Sequence, residues 1–100
     1  MENILSTLHA EFHEMLGNAS MNMNDIDAAI NNFKKADKLS SIENRDSRFK
    51  IDLAVALIAK EDFAKAASLL NEILDNENIN YSDKNKVEEL LALANFSKDN

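Results

Sequence analysis

The sequence predicts an all-α fold of five helices, arranged as antiparallel helix hairpins. Three observations predict it. One glycine and no proline occur in 100 residues, too few turn formers for a sheet protein of this size. Apolar residues recur at spacings of three and four along five segments. A shift of 37 residues also lays one helix pair over another, which marks an internal repeat.

The first helix holds Ile4, Leu5, Leu8, Phe12, Met15, Leu16 and Ala19. The second opens at Asn24-Asp25, where either side chain can accept from the free amides of the first turn. It carries Ile26, Ala29, Ile30, Phe33, Ala36 and Leu39, with Lys34, Lys35 and Lys38 near the end that favours cations. Ser40 and Glu43 have capping-box spacing, so a third helix is expected to start there, with its core stretch from Phe49 to Lys60. The fourth runs from Asp62 to about Asp75, with Phe63, Ala66, Ala67, Leu70, Ile73 and Leu74 on one face. Asn76 to Asn80 reads as a loop. A fifth helix follows Ser82 with Val87, Leu90, Leu91 and Ala94, and the tail from Ser97 to Asn100 is expected to fray.

Composition narrows the function. The chain is 45% hydrophobic and 29% charged, enough to bury one core, and its length suits one domain over residues 1–100. Cysteine is absent, which removes disulfides, thiolate zinc sites and thiol nucleophiles and fits a reducing, cytoplasmic setting. A net charge of −7 opposes nucleic acid and anionic membrane surfaces. No apolar run approaches the roughly 20 residues of a membrane span. The opening MENILSTLHAEF has no basic segment followed by an apolar core, so no signal peptide is expected. Without one, the glycosylation-type triplets at Asn18 and Asn95 carry no weight.

In the 37-residue register, Asn24 to Phe33 falls on Glu61 to Leu70. Asp25 meets Asp62, Ala29 meets Ala66, Phe33 meets Leu70, and Leu16-Gly17 meets Leu53-Ala54. This resembles the tetratricopeptide repeat. That family opens its second helix on a Gly-Asp-Tyr-like turn, followed by Ala, an aromatic and a further Ala. Asn24-Asp25-Ile26, Ala29, Phe33 and Ala36 fill those places, and Leu16-Gly17 fills the Leu-Gly pair of the first helix. The small residues Gly17, Ala29, Ala54 and Ala66 allow close helix approach. The sequence departs from the family at its Trp-like place (His13, Lys50), its Tyr-like place (Ser20, Leu57) and the missing terminal proline. The resemblance implies a right-handed array: repeat one at about residues 10–43, repeat two at about 44–78, and a closing helix at about 82–97.

It also implies a function. The first helix of each repeat would line a groove, here the first, third and fifth helices. The third, Ile51 to Ala59, is apolar nearly all round, as in helices buried on more than one side. Ile51, Val55 and Ile58 would form the floor. Glu11, Glu14, Asp52, Glu88 and Glu89 would form an acidic rim, with Asn18 beside them. Such a groove suits a basic peptide or amphipathic helix, so the expected function is an adaptor or scaffold binding proteins. The alternatives are a small acidic chaperone for a secreted or assembly-prone client, and a peptide-sensing regulator. Covering of the apolar face by neighbouring helices or by a second copy, as a homodimer, competes with the groove. A clamp for an acidic chaperone tail is not expected: its cationic places hold Glu14, Asn18, Asp52, Asn85 and Glu89, and only Asn18 agrees.

Other chemistry finds little support. His9 and His13 share a helix face, but a zinc site needs a third or fourth ligand, and there is no further histidine. Asp75 to Asn80 lacks the glycine of a calcium loop, and Lys86 stands where the bidentate Glu belongs. No nucleophile–base pair or glycine-rich phosphate loop is visible. Neither an enzyme nor a bound cofactor or metal is expected.

Overall fold

The computed structural model describes residues 2–40 and 47–99. It contains five helices: α1 (Glu2–Asn22), α2 (Ile26–Ser40), α3 (Arg48–Ala59), α4 (Phe63–Leu74) and α5 (Tyr81–Asp99). The described residues hold no strand. The molecule measures 47 × 34 × 18 Å. Its thinnest dimension is two helix diameters of about 10 Å, so the helices form two layers. Consecutive helices pack together, and α3 also touches α5.

The turns inside the two hairpins are the same structure, 37 residues apart. At the end of α1, Asn24 takes φ 61°; its N–H donates to Met21 O and that of Asp25 to Ser20 O. At the end of α3, Glu61 takes φ 67°; its N–H donates to Ile58 O and that of Asp62 to Leu57 O. This is the paired bonding of a left-handed helix stop. The following Asp then caps the next helix. Asp25 Oδ1 accepts from Ala28 N–H at 3.2 Å and Asp62 Oδ1 from Lys65 N–H at 3.4 Å. One Asp thus ends one helix and starts its partner, which sets the hairpin angle in both pairs.

Packing follows the small-and-large pattern. Ala29, Ala54 and Ala66 are fully buried, with Phe33 and Leu70 against them in one core that extends to Val87 and Ala94 of α5. Gly17 touches Phe33 so closely that a Cβ there would stand 2.4 Å from the ring's Cε1. Ala10, Ala36 and Phe49 form a second, smaller cluster. Lys50 bridges both Asp37 carboxylate oxygens at 2.9 and 3.0 Å, tying α3 to α2. Lys60 pairs with Asp27 across the same two helices.

The structure corrects several expectations. An apolar stripe ordinarily faces the core, but Leu5, Leu8, Phe12, Met15 and Leu16 of α1 are all exposed. Leu16 therefore does not fill its repeat position as its buried counterpart Leu53 does. The reason is position: α2 covers the opposite side of α1, at Ala10 and Gly17, whereas α3 lies between α2 and α4. Ser40 ends α2, its Oγ donating to Asp37 O at 3.0 Å; Glu43 of the expected capping box lies outside the described residues. α3 begins after the buried Ser47. α5 starts at Tyr81, directly after Asn80, whose Oδ1 accepts from Asp83 N–H at 2.7 Å. Helix continues through Asp99 where fraying was expected.

Candidate protein-binding cleft

A cleft of about 390 Å³ opens between α1, α3 and α5. Asn18, Met21 and Asn22 form its α1 wall, Asp52 and Val55 come from α3, and Lys86 comes from α5. The edge of the buried Phe33 ring reaches it from α2. On α1 these positions continue one helical row, since residues three and four apart share a face.

Three of the expected groove residues, Asn18, Asp52 and Val55, come together here. Glu11 and Glu14 stand on α1 and meet Arg48 of α3: Glu14 at 3.1 Å from Nε, Glu11 at 4.0 Å from Nη2. Ile51 is only 4% exposed and belongs to the core, so it forms no part of an open floor. Ile58 is half-buried and also packs on the core. Glu88 and Glu89 are exposed and do not line the cleft. Met21, Asn22, Phe33 and Lys86 were not expected. The first two follow from extending the Glu14–Asn18 row by one turn; the repeat register gives no signal for Lys86, which falls on the buried Phe49 in the 37-residue shift.

The electrostatics centre on Asp52. Burial pushes its carboxyl from 3.8 up to about 7. A hydrogen bond to the Glu14 carboxyl and that group's charge push the same way, while the charges of Arg48 and Lys86 oppose them. A hydrogen bond between two carboxyls requires a proton between them. With both ionised no donor remains, and Asp52 Oδ2 is buried without a partner among the described residues. Once pH rises past about 7 the cleft therefore holds an ionised carboxyl beside the apolar Val55 and Met21.

The histidines do other work. His9 is exposed. His13 Nδ1 lies 3.1 Å from Asn32 Oδ1, and Asn32 in turn donates to Ala28 O, so His13 helps join α1 to α2. Among the described residues no three His, Asp or Glu side chains converge as metal ligands. No described helix is long and apolar enough to cross a membrane.

A family model described as tetratricopeptide repeat matches residues 20–80. The chain belongs to the tetratricopeptide repeat family. Comparison with curated proteins and with solved structures found no match. Members of the family generally mediate protein–protein interaction and are typically non-catalytic modules. The match spans both hairpin turns, α2, α3 and α4. The repeat's small residues are thus the buried Ala29, Ala54 and Ala66 of the core.

Proposed function

We propose that this tetratricopeptide protein is an adaptor that takes a basic, amphipathic segment of a partner protein into the cleft between α1, α3 and α5. The observation that carries this reading is the half-buried Asp52 carboxyl lining the cleft beside the half-buried Val55. A Lys or Arg side chain of the partner, set against this carboxyl from the cleft side, pairs with it and favours its ionised form. Apolar neighbours of that residue cover Val55 and Met21. Lys86 on the opposite wall repels a run of cations, so the arrangement selects one basic residue among apolar ones. The net charge of −7 adds long-range attraction for a basic partner, which raises association rate more than affinity.

An array of short random peptides, probed with the fluorescently labelled chain, tests this. Bound peptides should be enriched in a Lys or Arg flanked by aliphatic residues. Val55→Glu and Asp52→Lys should each abolish that enrichment while circular dichroism stays unchanged. Binding should also strengthen as pH rises through about 7, where Asp52 loses its proton. Enrichment in acidic peptides, or a profile that Val55→Glu leaves untouched, would overturn the reading.

A further inference from the structure

The outward face of α1 is a second apolar surface, separate from the cleft. Leu5, Leu8, Phe12, Met15 and Ala19 succeed one another at intervals of three and four, the heptad spacing of a coiled-coil seam. Leu16 and Met23 widen the seam along one side. Leu5 is 61% exposed, Leu8 55%, Phe12 54%, Met15 68%, Leu16 39% and Met23 79%. Glu14 turns toward Arg48, and the half-exposed Glu11 borders the stripe at 4.0 Å from the same guanidinium, so no described carboxylate lies within the stripe itself. These exposures together equal about three and a half large side chains, an apolar surface on the order of 600–700 Å² at about 150–250 Å² for each. That exceeds the roughly 300–600 Å² of the largest patch on a typical monomer. It approaches the about 800 Å² that each partner buries in a standard interface.

We infer that this face pairs with the same face of a second copy of the chain, with the two α1 helices antiparallel. A heptad seam packs best on a helix of the same spacing, and α1 is such a helix. A twofold axis between Phe12 and Met15 makes the contact self-complementary. Phe12 of one copy then meets Met15 of the other, an aromatic–thioether contact, and Leu8 meets Ala19, large against small. On the flank, Glu11 faces Asn18 of the other copy rather than a second carboxylate. Two chains of net charge −7 repel each other wherever carboxylates meet, and this face, with the Arg48-paired Glu11 only at its border, is where they can approach.

Sedimentation of the full chain over a wide concentration range reads the association. The wild type should dimerise reversibly. Leu8→Glu and Met15→Glu should each raise the dissociation constant at least about tenfold, because pairing would bury an unpaired charge. Helix content should not change, since both side chains are exposed in the single chain. Val55→Glu, in the cleft, should leave the dimer intact. The sequence contains no cysteine, so introduced thiols report orientation cleanly. A mixture of Leu8→Cys and Ala19→Cys chains should form a mixed disulfide, and Met15→Cys alone should not link. A chain that stays monomeric, or a dimer indifferent to Met15→Glu, overturns the inference. Linking of Met15→Cys alone, with none in the mixture, overturns the antiparallel arrangement.

Discussion

Gly17→Ala isolates the contact that lets α1 lie close on α2. The added Cβ would stand 2.4, 2.6 and 2.8 Å from Cε1, Cδ1 and Cζ of Phe33. Carbon atoms prefer about 3.5–4.0 Å, so the overlap is roughly 1 Å against three ring atoms. The ring is 2% exposed and packed within the main core, so relief requires α1 to lift or the ring to distort its neighbours. Overpacking of this kind costs about 1–3 kcal/mol. Replacing a mid-helix glycine by alanine returns about 1 kcal/mol through helix propensity. Three clashing atoms place the cost near the top of its range, which leaves a net loss of about 1–2 kcal/mol. For a chain of this size that lowers the melting temperature by roughly 4–15 °C. Thermal unfolding followed by circular dichroism measures it. The second hairpin shows how the strain is avoided, since Ala54 there answers to Leu70 rather than to an aromatic ring. Adding Phe33→Leu to Gly17→Ala should therefore recover at least about 1 kcal/mol relative to additivity, well outside the about 0.3–0.5 kcal/mol of independent sites. A melting point that holds or rises in Gly17→Ala would show the ring swinging into the adjoining cleft and refute the reasoning. Strict additivity of the pair would refute it as well.

Two further predictions follow from the turns and the cleft. Glu61 occupies the left-handed conformation at φ 67°, where a Cβ costs about 1–2 kcal/mol and glycine is the usual residue. Glu61→Gly should raise stability by about 0.5–1 kcal/mol in urea titration, and a loss would show that the Glu61 side chain holds the turn. Asp52 has a folded pKa of about 7 against an ordinary 3.8, so above 3.8 the unfolded chain gives up this proton more readily than the folded one. The stability this group contributes is fully present below about 3.8 and is lost as pH rises through about 7. Asp52→Asn should thus stabilise the chain at alkaline pH by about 1–2 kcal/mol, after allowing for solvent screening at this half-buried site. The gain should vanish in acid, and a gain independent of pH would remove burial of charge as its cause.

The hairpins were legible in the sequence because their determinants are local. Asp25 and Asp62 cap the helices expected to follow them, and Ala29, Phe33, Ala66 and Leu70 lie buried at helical spacing. Hydrogen bonds over a few residues and one-sided apolar rows leave such a chain few other ways to fold. Tertiary structure decided which apolar face is covered. The rows on α1 and α4 look alike as sequence, yet α4 has α3 and α5 against it while the outer side of α1 has no described helix. Burial of Ile51, the rise of the Asp52 pKa beside Glu14, and the place of Lys86 in the cleft depend on how three separate helices meet. Helical spacing sets the direction of a side chain around its own axis. What stands opposite it depends on helix lengths and on the connections between them.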